Sequence, residues 1–245
     1  MHVRVDLVPH PPYKDTVVLI DVLRTSTVAP ILFENGLERL HIATKLRLAR
    51  EFAKETDALL MGERDGLPPE GFNYGNSPSE LASLNLSGHA VLVSENAPTV
   101  LPELEGAKHL LLGSLYNADA VVKRALELAK DNIYLVGCGL WGQEDLDDAI
   151  AAGYMATRFK ELLPDVKLSG AARLSMSLVR AFPDPLKAIW YSSAGYFIKK
   201  LGAEDDLVLA SLVSQSDQVP ELESVVIDEH GSMYTFYSPT VPSTS

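Results

Sequence analysis

Short apolar runs alternate with amphipathic stretches along most of this chain. Thr16 to Leu23 (TVVLIDVL) places apolar residues at successive positions, the pattern of a strand buried on both faces. After it the pattern predicts a helix over Ser26–Glu34, a short strand over 38–43, an amphipathic helix over Lys45–Lys54 and a strand over Ala58–Met61. Three more buried strands follow, at Ala90–Val93, Leu110–Leu112 and Ile133–Val136. A short helix after Asn96 and a long one over Ala118–Lys130 separate them, and a glycine-rich turn leads into a helix over Glu144–Leu162.

This β-then-α rhythm predicts a mainly parallel sheet with helices on both faces. Ligands of such sheets bind at the carboxyl ends of the strands, so the polar segments that follow the strands are where a site is expected. The last third is less regular. Helices are predicted over 171–182 and 185–201, a terminal hairpin over Ser224–Ile227 and Met233–Tyr237, and a frayed tail over 238–245. No repeat and no linker interrupts the pattern, which predicts one domain over residues 1–245.

Composition narrows the function classes. With 245 residues, 47% hydrophobic and 22% charged, the chain can bury a core without staples. The net charge of -12 repels nucleic acid and anionic membrane surfaces, so neither is expected as a partner. An anionic substrate would need local cations or backbone amides to overcome that field. The single cysteine, Cys138, permits no intrachain disulfide and fits a reducing compartment. The first residues carry no signal pattern, and no apolar run reaches the ~18 residues of a membrane span, so a cytoplasmic protein is expected. A homo-oligomer is left open.

Three clusters carry candidate chemistry. The first is Asp21-Val22-Leu23-Arg24-Thr25-Ser26-Thr27, where a buried strand delivers Asp21 and Arg24 to the start of a helix. Free amides and a positive dipole there suit a phosphate, with Arg24 as a clamp; the plainer reading is a Ser/Thr cap with an Arg–Asp salt bridge. The second is the loop from Gly62 to Ser77, with Glu63 just after a strand and glycines and asparagines that let backbone approach a ligand; its plainer reading is a solvated turn. The third is Gly137-Cys138-Gly139 running to Glu144-Asp145. Those carboxylates either complement a helix dipole or bind Mg²⁺, which takes one or two carboxylates plus substrate phosphate. Cys138 is a candidate nucleophile or a site-lining residue; no activating neighbour is visible in sequence, which favours a structural role.

Taken together, these segments resemble one family. The order runs DVLR (Asp21–Arg24), GER-x-G (Gly62–Gly66), GF-x-x-GNSP (Gly71–Pro78), Asn96 after the next strand, GS-x-x-NA (Gly113–Ala118), Cys138-Gly139, Glu144-Asp145 and Ala152-Gly153. It is similar to the 2-phosphosulfolactate phosphatase family of coenzyme M biosynthesis, over about residues 16 to 160 and more faintly beyond. The resemblance implies a three-layer α/β/α fold with a mainly parallel or mixed sheet, Mg²⁺ dependence, and hydrolysis of a small anionic phosphate monoester. It implies catalytic roles around Asp21, Arg24, Asn76 and Cys138. Substrate contacts are expected from Thr25, Ser26, Thr27, Arg64, Asn73, Ser77, Asn96 and Asn117, and metal ligands from Asp21, Glu63, Glu144 and Asp145.

One segment departs from the pattern. Where the family resembles TTNGTRA, this chain has Ser94-Glu95-Asn96-Ala97-Pro98-Thr99-Val100. A glycine and a cation are lost and a carboxylate is gained. The expectation is a less highly charged substrate or, alternatively, a weakened or non-catalytic binder of an anionic metabolite. The double substitution Ala97→Gly with Val100→Arg is expected to improve turnover of the sulfonated substrate.

Overall fold

The structure is a computed structural model that describes residues 1–239. The chain begins β1 (His2–Asp6), β2 (Thr16–Ile20), α1 (Thr25–Glu34), β3 (Arg39–Ala43), α2 (Leu46–Thr56) and β4 (Leu59–Gly62). It continues with α3 (Pro78–Leu81), β5 (His89–Val93), α4 (Ala97–Val100), β6 (His109–Gly113), α5 (Ala118–Leu128) and β7 (Asn132–Gly137). Then come α6 (Leu146–Leu162), β8 (Lys167–Leu168), α7 (Gly170–Ala181), α8 (Pro185–Tyr191), α9 (Ser193–Lys200) and α10 (Glu204–Ala210). The hairpin of β9 (Glu221–Asp228) and β10 (Gly231–Tyr237) closes the described chain.

All ten strands join one sheet, in the order β4-β5-β3-β10-β9-β6-β2-β7-β1-β8. Its two flanks are parallel, and the C-terminal hairpin inserts antiparallel between β3 and β6. The seam there is thin: β9 pairs with β6 only at Glu221 and Leu111. Period-two geometry sorts β2 between the two cores. Val18 and Ile20 pack with β1, α5 and α6 on one face, while Val17 and Leu19 pack with α1, β3 and β5 on the other. Val91 and Val93 face α2 in a smaller third cluster. The result is the expected three-layer α/β arrangement with a mixed, mainly parallel sheet.

Differences from the sequence reading have local causes. β1 escapes the pattern because its alternation, Val3 and Val5 inside with Arg4 and Asp6 outside, spans only five residues. The helix expected over 185–201 breaks at Ser192, whose hydroxyl donates to the Ile189 carbonyl of α8 and caps α9 by accepting from the Gly195 amide. No helix among the described residues is long and apolar enough to cross a membrane. The tail expected over 238–245 lies, from residue 240 onward, outside the described residues.

Candidate active site

The turn after β2 is built by its own hydroxyls. Ser26 Oγ donates to the Leu19 carbonyl (3.1 Å) and accepts from the Asp21 amide (3.1 Å), while Thr27 Oγ1 donates to the Val22 carbonyl (2.8 Å). The first amides of α1 are also committed: those of Ser26 and Thr27 bond the carbonyls of Asp21 and Arg24. This corrects the expectation that Ser26, Thr27 and their amides hold a phosphate. They hold the turn that presents Asp21 and Arg24. Thr25 bonds the Asp21 carboxylate, and its Oγ1 lies 3.2 Å from Ser94 Oγ. In sheet order β3, β10, β9 and β6 lie between β2 and β5, so this contact shows that the sheet curls enough for the segments after them to meet.

Glu63 is placed by Gly62. With φ at +140°, a Cβ there would lie 2.0 Å from the Val93 carbonyl, so only glycine lets the end of β4 sit against β5. Glu63 then accepts from the amides of Gly66 (3.0 Å) and Glu95 (2.9 Å), which aims it across the strand ends. Arg24 is buried. It donates through Nη1 to Asp206 (3.2 Å) and through Nη2 to the Gly66 carbonyl (3.3 Å). Its salt-bridge partner is thus Asp206 on α10, not a carboxylate of its own motif. Asp206 is fully buried and also accepts from the Ser77 hydroxyl (2.6 Å), the Ser79 hydroxyl (2.6 Å) and the Ser79 amide (3.1 Å). One carboxylate therefore locks Arg24 to the GNSP loop.

These segments line a cleft at the carboxyl ends of the strands. Asp21, Arg24, Thr25, Glu63 and Asn76 line one side, with Ser94, Glu95 and Asn96 beside them. Leu140, Trp141 and Phe197 add apolar lining. Asn76 is buried and its amide oxygen has no partner among the described residues. Burial pushes the Asp21 carboxyl up to about 6, the Glu63 charge adding to it, while the Thr25 bonds and Arg24 pull it down. At neutral pH Asp21 is ionised and poorly solvated, so it gains from a nearby cation.

Other expected residues lie elsewhere. Asn73 is exposed, and its Oδ1 accepts from the Leu60 amide at the edge of β4. Asn117 is buried in a structural net with the Ser114 amide and the carbonyls of Leu112 and Gln218. Ser77 caps α3 and bonds Asp206 behind the cleft, and Arg64 donates to the Ser94 carbonyl (3.1 Å) at its edge. Cys138 packs in the core, where burial pushes its thiol well up, which disfavours the thiolate a nucleophile needs. Glu144 is exposed. Asp145 caps α6 and accepts from the amides of Leu146, Ser193 and Ala194, so its oxygens tie two helices together. Val100 is core, so an arginine there would have to displace apolar packing before it could face the cleft.

The sequence reading missed Asp147 and Asp148. Because Asp145 is the cap, the next two acids enter the first turn of α6 and face the strand ends. Asp148 accepts from the Val22 amide (2.9 Å) and the Gly139 amide (2.8 Å), stitching the β2 and β7 turns together. Burial raises both carboxyls, with the Asp148 charge next in effect on Asp147 and the Asp21 charge on Asp148. Among the described residues no group of three or more His, Cys, Asp or Glu is placed to hold a metal ion. The cleft does join two carboxylates, Asp21 and Glu63, to the unpartnered Asn76 oxygen. That donor set is all hard oxygen, and one or two carboxylates suffice for Mg²⁺ when phosphate and water complete the shell.

The family described as 2-phosphosulpholactate phosphatase matches residues 2–224 of the chain. A protein of Thermus thermophilus named a probable 2-phosphosulfolactate phosphatase is 37% identical over 230 residues, covering 92% of this chain and 96% of that one. A Deinococcus radiodurans protein of the same name is 36% identical over 226 residues, covering 91% and 93%. One from Clostridium acetobutylicum is 30% identical over 196 residues, covering 78% and 82%.

Proposed function

The chain belongs to the 2-phosphosulfolactate phosphatase family, a group of phosphoric monoester hydrolases, and from that premise we propose that its cleft hydrolyses a small anionic phosphate monoester with the aid of Mg²⁺. One juxtaposition carries the reading: a buried guanidinium, two carboxylates and an unpartnered amide oxygen share one cleft at the strand ends. Arg24 spends two of its N–H donors on Asp206 and Gly66, and its remaining donors are available to phosphoryl oxygens. The Asn76 amide adds a neutral contact on the same group. Asp21 and Glu63 would hold the metal, which supplies charge neutralisation at the phosphoryl group when bound. Catalysis then rests on positioning and on donors fixed before substrate arrives, because Asp206 and the Thr25, Ser26 and Thr27 hydroxyls leave the turn little freedom.

2-Phosphosulfolactate, named for the relatives, is the first substrate to try; its hydrolysis gives 3-sulfolactate and phosphate. Glu95 lines the cleft and repels an acid group held close to the phosphate, so an ester less highly charged than 2-phosphosulfolactate is the better fit. Phosphate release from a panel of small phosphorylated acids, with the metal varied, tests the proposal. Release that is lost with EDTA and restored by Mg²⁺ is expected. No release from any ester with any divalent ion would overturn it.

A further inference from the structure

Beside the cleft lies a second hollow, a solvent-exposed groove of about 520 Å³. Leu140, Trp141 and Phe197 line both. Trp141 stands at the tip of a tight turn closed by paired backbone bonds between Leu140 and Gln143, and its ring meets Phe197 edge-on at 6.0 Å. The far side comes from α8 and α9. Trp141, Trp190, Tyr191 and Tyr196 expose 67%, 38%, 74% and 58% of their surface, a concentration of large aromatics that a chain ordinarily buries. Two cations sit among them. Lys199 Nζ lies 4.6 Å from the centre of the Trp190 ring and donates to the Trp190 carbonyl (2.7 Å), and Lys200 Nζ lies 4.6 Å from the centre of Tyr196. In a chain of net charge -12 this is a local positive, aromatic surface beside an acidic cleft.

We propose that this groove binds the alcohol portion of the substrate, and that the preferred substrates are phosphate monoesters whose alcohol is planar or aromatic and carries an anionic group. The inference rests on the phosphatase reading. With phosphate held by Arg24, the rest of the ester leaves the cleft past Trp141 and Phe197, onto faces suited to stacking and toward ammonium groups suited to a carboxylate or sulfonate. On hydrolysis, water oxygen bonds phosphorus, the ester P–O bond breaks, and the protonated alcohol remains in the groove while phosphate remains in the cleft.

Both tryptophans of the chain line the groove, so intrinsic fluorescence reports on it directly. Carboxyphenyl phosphate and phosphoglycolate are compared as probes, by titration of tryptophan emission and by KM. An aryl oxygen leaves more readily in any enzyme, so KM and binding are read rather than kcat. Carboxyphenyl phosphate should perturb the emission saturably and show a KM about tenfold lower than phosphoglycolate, a preference that one stacked ring and one charge contact can supply. Tyr196→Ala and Lys200→Gln, both at exposed positions, should each raise that KM by about three- to tenfold and narrow the preference. Equal KM values, or a preference that neither variant moves, would overturn the inference and leave the phosphatase reading standing. Turnover of neither ester with Mg²⁺ would overturn both. A concentration-dependent dimer that shields the tryptophans from quencher would give the groove to a second copy and also overturn the inference.

Discussion

The two sets of residues that line the cleft and the groove beside it are built in opposite ways. On the β2 and β4 side the side chains are buried and bonded: Glu63 accepts two amides, Arg24 bonds Asp206 and Gly66, and Asp206 accepts three further bonds from Ser77 and Ser79. On the α9 side stand largely exposed rings, two of them with a lysine over one face. A transition state that differs little between phosphate esters needs donors fixed in advance, whereas the group attached to the phosphate varies and is met by surface that can change cheaply. The comparison teaches that reaction type and substrate choice reside on different elements. The network side should respond to substitution as a unit, and the aromatic side residue by residue.

The sharpest way to break this division is Arg24→Ala. It removes the cation facing the phosphoryl group and should lower kcat/KM by a factor of about 100 or more for every ester alike. Activity close to wild type in steady-state assays would reduce Arg24 to a partner of Asp206. Asp206→Asn acts one step removed. It leaves Arg24 buried without its counter-charge, and losing one partner of a buried pair typically costs on the order of 3–5 kcal/mol of stability. Thermal melting should fall, and kcat should drop roughly tenfold as Arg24 loosens, with the ratio between esters preserved. A fall in melting temperature alone would make Asp206 structural only.

Glu95→Gln should move the other way. Removing a half-exposed like charge is expected to raise kcat/KM about threefold for an ester bearing a second acid, and less for one without it. Loss of activity with both esters would show that Glu95 serves the reaction. The smallest effect belongs to the scaffold. Burial, with the nearby His89 next, lowers the His41 imidazole to about 4. The unfolded chain therefore takes up a proton between about pH 6.5 and 4 that the folded chain refuses, and stability falls as pH drops through that window. Asp21, raised to about 6, acts with the opposite sign there, so the quantity to read is the difference between wild type and His41→Gln in urea midpoints at pH 7 and pH 5. Identical pH slopes would remove the His41 contribution.

Much of the framework was legible because buried parallel strands are written as unbroken apolar runs, such as TVVLI and HAVLV. Asp21, Arg24 and Glu63 were legible for a related reason: each follows a strand at its carboxyl end. What stayed hidden depends on three-dimensional partnership. Asp206 lies 182 residues from Arg24 in a short helix with three acids in its first turn, and nothing local separates it from Glu204 or Asp205. In the run Glu144 to Asp148, the choice of Asp145 as helix cap decides which acids turn inward, and a shift of one residue would select others. The aromatic groove assembles from the 140–143 turn and two helices that read as one in sequence.

The most direct test of the central claim is phosphate release from a small phosphate monoester by wild type and Asp21→Asn, each assayed metal-stripped and again with Mg²⁺ restored. The account predicts turnover only in the wild type with Mg²⁺, with both proteins folded by circular dichroism. Equal turnover in the stripped wild type, or in Asp21→Asn with Mg²⁺, would contradict it.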